Sequence, residues 1–305
     1  MSLETPVRGD AKNSLVDTLK TLAVLFKARI VFLLVMASLG GAFLGAGGLP
    51  SLGDMLLLIV SGALAAGGSS AINQIIERDT DTRMGRTEDR PVASGRIAQI
   101  PMVWLLSIAM IVVPVMLIVP FNAPMAFYLF AGAAIYIGVY TIWLKPRSVL
   151  NIVIGGAAGS AAVMTGGAAV GAASDPGVII LALLVFLWTP AHFWALALYY
   201  KDDYAAAQTP MLPVIASEGQ TAWWIFIHAA GTAFATLVLA AHPALGLFYL
   251  IPVALVTLFM LGWGMRLIRT PSRQHAIRLF VATNVFLLMV FVLIILTTTG
   301  RQLFL

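Results

Sequence analysis

Apolar residues run almost unbroken through nine stretches of the chain: 30–47, 55–72, 99–119, 123–143, 150–172, 177–198, 221–241, 245–265 and 277–298. A transmembrane helix needs about 20 such residues, so the pattern predicts an all-α fold, a polytopic membrane bundle of about nine transmembrane helices. Polar residues collect between the stretches, most densely near 73–98 and 200–220. Ahead of the first stretch, Leu15, Leu19, Leu22 and Phe26 recur at helical spacing. That spacing predicts a separate segment over residues 1–26 containing a short amphipathic helix at the membrane surface, with a frayed tail as the alternative. Residues 27–305 then form the transmembrane domain.

Composition agrees with the pattern. Hydrophobic residues make up 60% of the chain and charged residues 10%, against about 25% charged in soluble domains; mean hydropathy is +0.96. The absence of cysteine excludes disulfides, thiolate catalysis and cysteine metal sites. Glu4, Asp10 and Asp17 interrupt the first 26 residues, so no secretory signal is expected. The net charge of +5 does not indicate nucleic-acid binding, because the charges lie in loops between spans. With nine spans, 17 of the 18 Lys and Arg residues fall on one side, all but Arg301. The positive-inside rule makes that side cytoplasmic. The expectation is a multi-pass protein of the cell inner (plasma) membrane with a cytoplasmic N-terminus. Of the 13 acids only Asp54 and Asp175 fall opposite, and orientation alone does not require acids to cluster so.

The two long cytoplasmic loops carry the polar residues able to do chemistry. If the second span continues as a helix, Asn73, Glu77 and Asp81 stack at i, i+4 and i+8 on one face. Two stacked carboxylates repel unless a cation lies between them, and an all-oxygen set of this kind suits Mg²⁺. Solvated loop charge is the ordinary explanation of an acidic loop. Here, however, Asn73 and Glu77 continue directly from an apolar span, where ionisable groups are usually functional. Four spans later the arrangement recurs: His192, Leu196, Tyr199 and Asp203 form one helical stripe, with Asp202 adjacent. Two such helix ends facing each other can hold two metal ions and a diphosphate. Arg86, Arg90, Lys145 and Arg147 can neutralise phosphate oxygens. Each of them taken alone is better explained by topology or lipid headgroup contact; their value is collective. The whole set predicts a site at the cytoplasmic membrane surface for a lipid diphosphate whose hydrocarbon tail lies between helices.

These words of sequence resemble a known family. Asn73-x-x-x-Glu77-x-Asp79-x-Asp81 is similar to the first acidic motif of the UbiA superfamily of intramembrane prenyltransferases. A further set resembles its protohaem IX farnesyltransferase (haem O synthase) branch: Arg86-Thr-x-x-Arg90-Pro91, Tyr140-Thr-x-x-Leu-Lys145, Trp188-Thr-Pro-x-His192-Phe-Trp and Lys201-Asp202-Asp203-Tyr204. The resemblance implies transfer of farnesyl from farnesyl diphosphate to a vinyl group of protohaem IX (haem B), giving haem O. A terminal oxidase or a haem A synthase would be the downstream partner. It also implies Mg²⁺ held by Asn73, Glu77 and Asp81 and, opposite, by Asp202 or Asp203. Diphosphate would be bound by Arg86, Arg90, Lys145 and Arg147, with Lys201 in the second motif.

His192 lies inside the matched motif and is a candidate ligand for haem iron, against the alternative of a helix-packing histidine. Two departures bear on the site. Lys145-Pro146-Arg147 stands where the family usually has Lys-Arg. Ala162-Val163 and Gly166-Gly167 stand where it usually has Pro-Pro and then Gly-Trp, which puts the pocket's shape in question. Other readings are a UbiA-type enzyme with an aromatic or chlorin acceptor, a membrane transporter, and an inactive haem-binding homologue. A transporter usually places its charges near the bilayer midplane, whereas these gather at helix ends.

Overall fold

The computed structural model describes residues 9–304; residues 1–8 of the N-terminal segment lie outside the described residues. Among these, every regular element is helical. A first helix, α1 (Gly9–Leu25), precedes nine helices long and apolar enough to cross a membrane. These are α2 (Ala28–Ala46), α3 (Leu52–Ile76), α5 (Ile100–Ile118), α6 (Ala123–Ala134) with its continuation to Leu144, and Asn151–Ala169, which comprises α7 (Asn151–Gly155) and α8 (Ala157–Ala169). The remainder are α9 (Pro176–Tyr199), α12 (Glu218–Leu239), α13 (Leu247–Arg269) and α14 (Arg273–Phe304). The spans agree with the hydropathy pattern within a few residues. Short helices α4 (Arg78–Asp81), α10 (Lys201–Ala206) and α11 (Leu212–Ile215) occupy the two long loops.

The helix starts follow capping chemistry. Ser51 accepts from the Asp54 amide, Asn122 from Met125 and Asp175 from Val178, and Ser217 forms a capping box with Gln220. On α1, Leu15, Leu19 and Leu22 are exposed. Its C-terminal end is tied down by Gln74, whose Nε2 donates to the carbonyls of Val24 and Leu25 at 2.8 and 2.9 Å.

Helix α9 occupies the middle of the bundle, packed against α8, α12, α14 and α2. Leu181, Leu184, Phe286, Phe291 and Tyr249 make a fully buried core around it. Large apolar side chains such as Leu105, Leu117, Phe127, Phe248 and Leu255 remain exposed on the outer helices. In a membrane those residues meet lipid, so burial does not drive helix association and close packing of small residues must. The α2–α8 contact uses that device. A Cβ on Gly166 would stand 1.7 Å from the Ser38 carbonyl oxygen, and one on Gly41 2.2 Å from that of Val163. Gly166 and Gly167, two of the residues that depart from the family pattern, therefore belong to a helix seam. Gly166→Val is expected to cost at least the upper part of the about 1–3 kcal/mol typical of overpacking. A thermal midpoint in detergent equal to that of the unsubstituted protein would show that the seam does not limit stability.

Candidate functional site

The first acidic loop is a true continuation of α3. The Glu77 amide donates to the Asn73 carbonyl at 2.9 Å and the Asp81 amide to that of Glu77 at 2.8 Å, so the three side chains do stack one turn apart. All three are buried, at 1% (Asn73), 6% (Glu77) and 2% (Asp81) exposure. Buried carboxylates need partners, and each rung of this ladder has its own cation. Lys27 Nζ donates to Asn73 Oδ1 at 2.6 Å, Lys145 Nζ to Glu77 Oε1 at 2.5 Å, and Arg90 Nη1 to both oxygens of Asp81 at 2.9 and 2.7 Å. Arg90 also lies 3.8 Å from Glu77. Burial on its own would raise the Glu77 carboxyl, but Lys145, then Lys27 and Arg90, hold it below the usual carboxylate range. Burial likewise works against the Arg90 guanidinium, and Asp81 raises it in spite of that.

Two of these cations are delivered by local backbone departures. Lys27 sits between α1 and α2 with φ 49° and ψ 53°, a left-handed conformation uncommon for a side chain with a Cβ. It also donates to the Tyr136 hydroxyl at 2.9 Å. Burial, and next the neighbouring Arg90, push its ammonium down to about 7, against the pull of Glu77. Lys145 ends a π-helical segment, Ile135–Leu144, in which the Lys145 amide donates to the Tyr140 carbonyl five residues back at 2.8 Å. The wider turn places Tyr136, Tyr140, Thr141 and Lys145 toward the acidic ladder: Thr141 accepts from Asn73 Nδ2 at 3.0 Å, and Lys145 lies 5.7 Å from the Tyr140 ring centre. Segments of this kind often mark functional sites.

The two loops meet through Arg86. Its backbone amide donates to Asp203 Oδ2 at 3.2 Å, its guanidinium to the buried Tyr204 hydroxyl at 3.3 Å, and it lies 5.6 Å from the Tyr200 ring centre. Asp203 thus faces the first loop. Asp202 points outward to an exposed ion pair with Arg273 at 2.7 Å. Lys201 opens α10, and Asp79 is exposed. Arg147 donates to the Ile142 and Trp143 carbonyls at 2.8 and 2.9 Å, closing off the end of the π-helical segment. His192 lies higher in α9, between the rings of Trp188 and Phe280, with Nδ1 2.9 Å from Thr283 Oγ1.

The sequence pattern did not single out Lys27 or Tyr136, and it carried Thr141 only as a word of the Tyr140-Thr-x-x-Leu-Lys145 motif, with no role. By sequence Lys27 is one of the orienting charges, and Tyr136 and Thr141 lie inside an apolar span. Polarity near the Lys145 end of that span is the further signal they carry.

Among the described residues no three His, Cys, Asp or Glu side chains gather closely enough to hold a metal by themselves. The oxygens of Asn73, Glu77 and Asp81 nevertheless form the partial, hard donor set with which a protein holds Mg²⁺, the rest of the shell coming from water and phosphate. Lys145 and Arg90 balance the two carboxylates, and Lys27, with its ammonium lowered to about 7, adds positive charge when protonated, which favours an added anion. The arrangement can therefore accept a hard cation and a phosphorylated group together, at the end of an apolar bundle.

Comparison with known proteins gives a consistent picture. Residues 33–294 match the UbiA prenyltransferase family. A protoheme IX farnesyltransferase of Metallosphaera sedula is 40% identical over 275 residues, covering 90% of this chain and 95% of that protein. Protoheme IX farnesyltransferase 2 of Paramagnetospirillum magneticum is 40% identical over 267 residues, 87% of this chain and 92% of the relative. Among solved structures, a digeranylgeranylglyceryl phosphate synthase superposes with a TM-score of 0.77 over 93% of this chain and 99% of its own, at 15% identity. A UbiA homologue of Archaeoglobus fulgidus, bound to GPP and Mg²⁺, superposes with a TM-score of 0.60 over 90% and 99%, at 17% identity. The two structural likenesses are likenesses of fold.

Proposed function

The chain belongs to the UbiA prenyltransferase family, and from that premise we propose that it transfers the farnesyl group of farnesyl diphosphate to a vinyl group of protohaem IX, giving haem O. The observation that carries this reading is the buried ladder of Asn73, Glu77 and Asp81, each rung bound by a separate cation at one end of an apolar bundle. Such a site suits a substrate with a strongly anionic head and a hydrocarbon tail.

Lys27, Arg90 and Lys145 lie on the ladder and Arg86 bridges to the second loop, so these four converge where the diphosphate head would lie. The arginines offer paired donors to its oxygens and the lysines point charges. Asn73, Glu77 and Asp81, and on the opposite side Asp203 or Asp202, would hold Mg²⁺, which would supply Lewis-acid stabilisation of the departing charge. The C–O bond of the allylic ester breaks with its electron pair going to diphosphate. The vinyl carbon then bonds to the farnesyl carbon, and water adds to the resulting haem-side cation with loss of a proton. The apolar walls keep water from reaching the farnesyl cation first. The bias of Lys and Arg toward the loops on the site's side supports a site on the cytoplasmic face of the inner membrane, where both substrates would have access. A terminal oxidase or a haem A synthase would consume the product, and the exposed Leu15, Leu19 and Leu22 of α1 suit a place at the membrane interface.

Purified protein given haem B, farnesyl diphosphate and Mg²⁺ is expected to yield haem O, read by chromatography and mass spectrometry. Prenylation of an aromatic acid in place of haem would favour the other acceptor class. Absence of any product, where a working relative gives one, would refute the assignment.

A further inference from the structure

We propose that His192 is an axial ligand to the iron of the haem acceptor, presented through Nε2; this rests on haem being the acceptor. The ring is held as a ligating imidazole is usually held. Trp188 stacks on one face at a centroid distance of 4.2 Å and 14° between planes, and Phe280 on the other at 4.4 Å and 25°. Trp188 is anchored in turn by its indole N–H, which donates to the Thr283 carbonyl at 2.9 Å. With both faces covered the imidazole cannot swing, and only its edge is available.

Hydrogen bonding then fixes which nitrogen is free. The single hydroxyl proton of Thr283 is donated to the Phe280 carbonyl at 2.8 Å. In that arrangement Thr283 Oγ1 accepts from His192 at 2.9 Å, which assigns the imidazole proton to Nδ1 and the lone pair to Nε2. Outer partners that set the tautomer in this way are characteristic of metal-bound histidines. Nε2 has no hydrogen-bond partner among the described residues, and the side chain keeps some accessible surface. His228 also has a nitrogen without a partner, but that atom, Nδ1, is fully enclosed and nothing can reach it. A packing residue in the aromatic slot of His192 would be better served by phenylalanine, since a polar ring with an unused lone pair costs free energy inside a membrane span.

Position supports the assignment. His192 lies seven residues before the end of α9 at Tyr199, about 10 Å along the axis. The loop that follows carries Asp203 beside Arg86. An iron held at that depth leaves the macrocycle among the spans, on the membrane side of the diphosphate site. Ligation would orient the ring so that one vinyl group meets the farnesyl carbon. No proton is displaced, because Nε2 carries none.

Resonance Raman spectra of the full-length protein with ferrous haem B test this directly. An iron–histidine stretching band is expected. It should be lost in His192→Gly, restored when imidazole is added to that variant, and shifted but retained in Thr283→Val, which removes the acceptor for Nδ1–H. A His192→Gly protein that keeps the original band would overturn the ligand assignment while haem O formation by the unsubstituted protein still upheld the acceptor. A His192-dependent band without haem O formation would support the ligand and refute the transfer. Failure of the unsubstituted protein to bind haem would overturn both.

Discussion

Glu77→Gln and Asp81→Asn are each expected to lower haem O formation by about three orders of magnitude, roughly 4 kcal/mol of transition-state stabilisation, while the protein remains folded in detergent. Both changes keep the shape of the side chain and remove one negative charge from a ladder whose two carboxylates are balanced by Lys145 and Arg90, with Lys27 beside them. The consequences are two, and they add: a neutral amide is a poor ligand for a hard dication, and the cations of the ladder lose one balancing charge. The extra repulsion among Lys27, Lys145 and Arg90 then scatters the groups that should receive the diphosphate, and catalysis of this kind depends on such preorganisation. In Glu77→Gln the amide oxygen can still accept from Lys145, which contacts Glu77 at 2.5 Å. The loss of stability should accordingly stay below the about 3–5 kcal/mol that breaking a buried pair outright costs. Turnover measured alongside the thermal midpoint separates the effects. Variants that keep most of their activity would remove the metal role from this ladder, and variants that fail only because they unfold would make its role structural.

The acidic ladder was legible in the sequence because i→i+4 hydrogen bonds run on from α3 across the turn at Glu77 into α4, so that linear spacing translated directly into a shared face. The nine spans were legible for a similar reason: hydropathy over about 20 residues is a local property. The cations on the ladder were partly hidden. Lys145 and Arg90 belong to recognisable words, but Lys27 reaches Asn73, 46 residues away, and does so from a left-handed turn that no propensity predicts for lysine. The π-helical segment was equally hidden, since its widened turn is set by the contacts of Tyr136, Thr141 and Lys145 with other helices. A strict α-helical reading spaces these residues differently. The packing role of Gly166 depends on the approach of α2, a long-range fact.

Arg86 shows how the charge asymmetry serves more than orientation. Its backbone and guanidinium both reach the second loop, at Asp203 and Tyr204, 117 and 118 residues later. A charge that orients a helix needs no partner so remote. Arg86 and Arg90 thus reach the second loop and the ladder, whereas Arg83 is exposed and Arg96 bonds only within its own loop, to Ser94 and the Asp89 carbonyl.

The two adjacent aspartates of that second loop should differ sharply: Asp203→Asn is expected to reduce turnover about a hundredfold or more, and Asp202→Asn no more than about fivefold. The carboxylate of Asp203 is partly buried, accepts from the Arg86 amide at 3.2 Å and faces Gly85, so it is held at the junction of the two loops. The Asp202 side chain is 74% exposed and is engaged with Arg273, itself 51% exposed. A pair so open to water contributes at most about 1 kcal/mol and costs little to lose. An amide at 203 can still accept from the Arg86 amide, so the loop junction should persist and the loss should appear in turnover more than in stability. Raised Mg²⁺ should partly restore Asp203→Asn if its defect is weakened metal affinity. The opposite ranking, with Asp202→Asn the more damaged, would assign the second metal to Asp202 and require its ion pair with Arg273 to open during the reaction.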